Sequence, residues 1–168
     1  MSEDIKVKYL TEDSVKEIQR LKNLYPVRKS AVLMVLHVVY DQLGYLNNDA
    51  LTEAAEIIEL PLIDLKQAGT FYTMFPQKPT GKYHIQVCRT LSCYLRGSEE
   101  LVEFLKEKLN IKMGETTEDG IFSLTEVECL GSCGTSPMMQ INDTYYENLT
   151  RAKAERILND LKEKAKNG

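Results

Sequence analysis

All four cysteines of the chain lie in its second half, and they fall in two pairs. Cys88-Arg89-Thr90-Leu91-Ser92-Cys93 encloses four residues, and Cys129-Leu130-Gly131-Ser132-Cys133-Gly134 encloses three between its cysteines. Each pair follows a stretch that reads as a strand. Two loops leaving neighbouring strands at one end of a sheet can bring four thiols to a common point. The fold does not need them as staples, because a chain of 168 residues buries about 70% of its unfolded surface unaided. Their chemistry has to be explained by something else.

Four readings compete at this level. Free cysteines can be small buried hydrophobes, but here every cysteine is spent in two loop-borne pairs. A thioredoxin-type dithiol needs Cys-x-x-Cys, and neither pair has that spacing. A four-thiolate structural zinc site accepts loops of up to four residues. A two-iron cluster also takes four cysteines, the four-residue gap matches the first interval of plant-type ferredoxins, and two irons tolerate wider loops than one small ion. Gly131 and Gly134 let backbone approach a bulky core. Thr90, Ser92 and Ser132 leave amides free to point at sulfur. Four thiolates on a core of about +2 add about −2 to the chain, and Arg89 is the candidate cation for that charge, or else an ordinary surface arginine.

The pattern around the cysteines is that of a mixed sheet. Lys82 to Cys88 alternates through Tyr83, Ile85 and Val87, a strand signal. Ser98 to Leu109 carries Leu101, Val102, Leu105 and Leu109 at helical spacing. Asp119-Gly120 turns into a strand over Ile121 to Val127. Met138 to Ile141, the Asn142-Asp143 turn and Thr144 to Tyr146 form a hairpin, and Thr150 caps a last helix carrying Ile157, Leu158, Leu161 and Ala165. The order β-α-β-β-β-α is close to the thioredoxin-like pattern.

The first half predicts helices alone. Ser14 with Glu17 fits a capping box ahead of Val15, Ile18, Leu21 and Leu24, and Pro26 breaks the run. A second helix runs from Lys29 to Leu43 with Gly44 as its C-cap. Its run of Val32, Leu33, Val35, Leu36, Val38 and Val39 demands burial on several sides. Asn47-Asn48-Asp49 offers caps for a third helix through Ile57, and Pro61 opens a fourth that ends near Gly69. The fold class expected is α+β (α/β), with a helical domain over 1–75 and a thioredoxin-like domain over 76–168.

Several functions are excluded or disfavoured. The 21 Lys+Arg against 25 Asp+Glu leave a net charge of −4, without the basic stripe of a nucleic-acid binder. No apolar run reaches the ~18–20 residues of a membrane span. The longest, Ala31 to Tyr40, is interrupted by His37. Met1-Ser2-Glu3-Asp4 reads as neither a secretory nor a transit peptide, so a cytoplasmic location is expected, where thiols stay reduced. No Gly-x-Gly-x-x-Gly fingerprint and no Gly-x-Ser-x-Gly elbow is present. His37 reads as a core residue, and His84 as structural with a role behind Cys88 as the alternative. Glu53 to Glu59 and Glu99-Glu100 read as solvated helix faces. Met138-Met139 and Tyr145-Tyr146 read as packing or partner contacts.

The motifs together resemble a known family. Both cysteine segments, Gly97 and Met138-Met139-Gln140-Ile141-Asn142 carry the likeness in the second half. Tyr25-Pro26, Lys29-Ser30-Ala31, Gln42-Leu43-Gly44-Tyr45-Leu46 and Phe71-Tyr72-Thr73-Met74-Phe75 leading to Pro79 carry it in the first. The chain resembles the thioredoxin-like [2Fe–2S] subunit of respiratory NADH:quinone oxidoreductase, complex I (NuoE type). The resemblance implies a [2Fe–2S] cluster with Cys88 and Cys93 on one iron and Cys129 and Cys133 on the other. It implies a flavoprotein partner (NuoF type) holding FMN and the NADH site, other hydrophilic-arm subunits, and a place at the inner face of the membrane through the complex. Similar subunits serve NAD-linked formate dehydrogenases and hydrogenases. Stand-alone ferredoxins share the cluster domain but lack the helical half.

Overall fold

In the computed structural model, which describes residues 7–167, the first helix, α1 (Glu12–Leu24), starts at Thr11 rather than at Ser14. Thr11 Oγ1 accepts from the Ser14 N–H at 3.2 Å. Ser14 turns its own hydroxyl to Gln42 Oε1 at 2.7 Å, and Glu17 pairs with Arg20 instead of reaching back to a cap. The capping box read from Ser14 and Glu17 is therefore not formed, because a threonine three positions earlier takes the N-cap role. The Met1-Ser2-Glu3-Asp4 segment, read above for targeting, lies outside the described residues.

A 3₁₀ turn (Arg28–Ala31) leads into α2 (Val32–Leu43), which Gly44 closes in the left-handed conformation. Val32, Val35, Leu36 and Val39 are buried while Met34 is exposed, so α2 is covered on most but not all sides. Asn47 caps α3 (Asn48–Ile58), accepting from the Asp49 and Ala50 amides at 2.8 and 3.3 Å. The fourth helix, α4 (Leu62–Phe71), runs past Gly69. That glycine does not end the helix. It is buried inside it, where a Cβ would come within 2.6 Å of Leu46 Cδ1, so its lack of a side chain permits close packing. One core joins these helices, with Ile18, Leu21, Val35, Leu36, Leu51, Ile58, Leu65 and Phe75 among its members.

Glu53 and Glu59 are not merely solvated. The Glu53 carboxylate accepts from the backbone N–H groups of Lys8, Tyr9 and Leu10 at 2.7 to 3.2 Å. Glu59 pairs with both Lys22 and Arg28. His37 stacks edge-on against Phe75 with ring centroids 5.0 Å apart, the packing role its apolar surroundings suggested.

Residues up to Pro79 and residues from Thr80 onward form two compact units. The second contains a four-stranded sheet in the order β2-β1-β3-β4, made of β1 (Tyr83–Cys88), β2 (Phe122–Val127), β3 (Met139–Ile141) and β4 (Thr144–Tyr146). β1 and β2 are parallel, with Cys88 opposite Val127, and the β1–β3 and β3–β4 pairs are antiparallel. The crossover carries a short helix α5 (Leu91–Leu95), which periodicity did not signal, and then α6 (Ser98–Leu109). The chain ends in α7 (Arg151–Asn167), whose Lys153 amide is capped by Thr150 Oγ1 at 3.2 Å.

Ile85, Val87, Leu105 and Leu124 are wholly buried between sheet and helices, each worth about 1.5–3 kcal/mol of apolar transfer. Gln86 and Cys88 are buried as well, so the end of β1 is covered on both faces. That is what a central strand requires, and it departs from the polar-out alternation that the sequence suggested.

Candidate metal centre

Parallel pairing fixes where the cysteines meet. β1 and β2 run side by side and end together, so the segments that follow them emerge at the same end of the sheet. Cys88 is the last residue of β1, and its N–H reaches the Met138 carbonyl at 3.3 Å. Cys93 sits on α5, and Cys133 opens a 3₁₀ turn (Cys133–Thr135) after β2. Three of the four are thus held on regular backbone, Cys88 as the strand reading expected and Cys93 and Cys133 where the sequence suggested open loops. Cys88 and Cys93 are each 2% exposed, whereas Cys129 and Cys133 are exposed.

All four thiols are free and near one another. Cys129 Sγ and Cys133 Sγ lie 3.8 Å apart. Cys88 and Cys93 lie close enough for each to shift the ionisation of the other, and electrostatic interaction links Cys93 to Cys133 and Cys129 to Cys88 across the pairs. Among the described residues, no three Cys, His, Asp or Glu side chains converge tightly enough to hold one metal ion. Four thiols in two pairs supply the full ligand set of a binuclear centre, which spreads its ligands over two irons.

The donor set fits a negatively charged sulfur cluster. Backbone amides of Thr90 and Leu130 are directed at Cys88, that of Met138 at Cys93, and that of Gly131 at Cys129, the last at 3.4 Å. Gly131 can aim its N–H there because it holds a φ of 81°, a conformation costly for other residues. Such N–H groups offset thiolate charge and tune a centre's potential.

The thiols respond unequally. Burial works against ionisation of Cys88, but the donated hydrogen bonds, led by Thr90 Oγ1, bring it below the usual thiol value. Burial pushes Cys93 up to about 11, reinforced by the neighbouring Cys88. The Gly131 amide, with Thr90 and Cys133, lowers Cys129.

Further residues shape the centre. Met138 is fully buried and packs with Cys88 and Cys93, with Leu130 beside them. Glu147 accepts from Thr135 Oγ1 at 2.6 Å and from Ser132 Oγ, which ties down the turn that carries Cys133. Its backbone carbonyl in turn accepts from Lys153 Nζ at 2.6 Å. Nothing in the sequence signalled Glu147, since its partners lie 15 and 12 residues away.

Arg89 is exposed and forked onto Glu128 Oε1 at 3.1 and 2.5 Å, a surface ion pair rather than a buried counter-ion. His84 Nε2 meets Thr125 Oγ1 at 2.9 Å, which supports its structural role. Met138 and Met139 are both fully buried and pack internally, while Tyr145 is exposed and donates to the Leu130 carbonyl at 2.8 Å.

Four thiols at one end of the sheet, ringed by amide donors on a β-α-α-β-β-β-α scaffold, define an iron–sulfur protein of thioredoxin-like fold. The chain belongs to the thioredoxin-like [2Fe–2S] ferredoxin family, whose model matches residues 18–162, and its cofactor is a [2Fe–2S] cluster. Among its curated relatives is the E subunit of the NADH-quinone oxidoreductase of Rickettsia prowazekii (strain Madrid E), 45% identical over 84% of this chain and 82% of that one. The Rickettsia felis (strain ATCC VR-1525 / URRWXCal2) protein of the same name is 42% identical over 94% and 92%. The E 2 subunit of the NADH-quinone oxidoreductase of Rhizobium meliloti (strain 1021) is 39% identical over 87% of each. Among solved structures, the crystal structure of an NAD+-reducing [NiFe]-hydrogenase in the air-oxidized state matches 79% of this chain with a TM-score of 0.68 at 22% identity. The match spans only 23% of that chain and speaks for the fold alone.

Proposed function

We propose that the chain is the electron-carrying subunit of an NADH:quinone oxidoreductase, exchanging one electron with the FMN of a flavoprotein partner. The observation that carries the proposal is the convergence of two cysteine pairs at one end of the sheet, in a chain whose relatives are named as subunits of that enzyme. Cys88 and Cys93 hold one iron, and Cys129 and Cys133 the other. The helical part, expected over residues 1–75, docks on the flavoprotein. It presents Phe71 at 76% exposure, with Met74, Tyr72 and Ile63 also exposed, the composition of a partner surface. No helix among the described residues is long and apolar enough to cross a membrane, which suits a peripheral position on the cytoplasmic side through other subunits.

The bound cluster supplies one-electron redox chemistry. The residues around it provide the rest. The Thr90, Leu130, Gly131 and Met138 amides stabilise negative charge on sulfur, and Met138 keeps water from the Cys88–Cys93 side. His84, the one histidine of the second unit, bonds to Thr125.

The test is anaerobic purification with iron, zinc and acid-labile sulfide measured, followed by reduction with NADH in the presence and absence of the flavoprotein. About two irons and two sulfides per chain are expected, lost in Cys93→Ala, with bleaching by NADH only when the partner is present. One colourless zinc per chain, or a Cys93→Ala protein with an unchanged spectrum, would defeat the ligand assignment. Failure to bleach with the flavoprotein would defeat the partnership.

A further inference from the structure

Thr90 stands beside Cys88, and its hydroxyl is not used where a threonine in that position normally uses it. It is the N-cap of α5, and an N-cap threonine ordinarily accepts from an amide of the first turn. Here the side chain makes no capping bond. The turn is closed by the Thr90 carbonyl instead, which accepts from the Tyr94 N–H at 2.9 Å. Oγ1 lies 3.3 Å from Cys88 Sγ, at the end of β1.

A metal-bound thiolate has no proton to give, so the hydrogen between oxygen and sulfur runs from Oγ1. Hydrogen bonds to an ionised acceptor are roughly twice as strong as neutral ones, and this one strengthens as the acceptor gains charge. Reduction adds one negative charge to the centre. A donor at this place therefore binds the reduced form better than the oxidised one.

We propose that Thr90 raises the reduction potential of the cluster by donating its single hydroxyl hydrogen to the sulfur of Cys88. The inference rests on the assignment of the four cysteines as ligands. It concerns no bond made or broken beyond the hydrogen bond, only the relative stability of two redox states.

The test uses the full-length holoprotein as wild type, Thr90→Val and Thr90→Ser, titrated anaerobically with visible and paramagnetic resonance detection. At the ambient potential that half-reduces the wild type, Thr90→Val should show a reduced-to-oxidised ratio about tenfold lower, equivalent to about 59 mV for a one-electron couple. Thr90→Ser keeps the hydroxyl and should titrate with the wild type. Reduced wild type and Thr90→Ser exchanged into D₂O should share a deuterium coupling that Thr90→Val lacks. A Thr90→Val protein that titrates with the wild type overturns the proposal, as does a Thr90→Ser protein shifted as far as Thr90→Val. If Thr90→Val fails to hold its cluster, Thr90→Ser decides alone: a wild-type potential and coupling support the role, and a shifted potential refutes it. Retention of iron by Cys93→Ala would instead count against the ligand assignment, whatever the Thr90 variants do.

Discussion

Met138 offers a way to separate packing from hydrogen bonding at the metal centre. Its backbone N–H is directed at Cys93, while its fully buried side chain packs against Cys88 and Cys93. Met138→Ala leaves the amide in place and removes the thioether, exposing one flank of the buried pair. Truncations of this kind cost about 2–5 kcal/mol, depending on how far the site collapses. Two neighbours here, Cys88 and Cys93, are themselves buried at the end of β1 and on α5, so little collapse is available and a value of about 3 kcal/mol is expected. For a unit of the size that begins at Thr80, each kcal/mol lowers the midpoint by about 4–8 °C, so a fall of at least about 10 °C should follow. The assay is thermal unfolding of the holoprotein by circular dichroism, paired with the rate of bleaching by an iron chelator. Met138→Leu, which nearly conserves volume, should cost less than about 1.5 kcal/mol. A Met138→Ala protein within about 2 °C of wild type, bleaching at the wild-type rate, would refute the view that this side chain seals the centre.

Two other expectations follow from contacts that the sequence hid or left open. Glu53→Ala removes a charged acceptor from three amides, a loss of about 1–2 kcal/mol once partial exposure is allowed for. Hydrogen exchange at residues 8–10 should accelerate while α2 stays protected, and unchanged exchange there would count against the clamp. Burial holds His84 below its ordinary value of 6.5, so the unfolded chain takes up that proton first as pH falls. The stability linked to this residue is complete above about pH 6.5 and is lost progressively below it. Urea denaturation across that range should show the slope in wild type and a flatter profile in His84→Asn, and identical profiles would rule the linkage out.

The parts of the fold carried by local chemistry were readable in advance. β1, α6, the hairpin of β3 and β4, the Asn47 and Gly44 caps and both cysteine pairs follow from periodicity, turn residues and spacing. What failed depended on partners distant in the chain. Ser14 looked like a cap because Gln42, its actual partner, lies 28 residues away. Glu53 looked solvated because the amides it gathers lie more than 40 residues earlier. Gly69 looked like a helix end because only the fold reveals Leu46 against it. The short α5 has too few residues to show a period, yet it positions Cys93. The four cysteines and the Thr90 amide were legible as a pattern, whereas Glu147, the amides of Leu130 and Met138, and the turn of the Thr90 hydroxyl to Cys88 emerge only once β1 and β2 are laid side by side.

The uneven exposure of the two pairs gives the centre an inside and an outside. Cys88 and Cys93 sit in a dry environment of low polarisability, and Cys129 and Cys133 face water, which screens charge far better. A protein seated over the outer pair would strip that water from a group that becomes more negative on reduction. Docking then disfavours the reduced state unless the incoming surface brings donors of its own. By linkage the same energy appears on both sides: whatever assembly does to the ease of reduction, reduction does to the grip of the assembly.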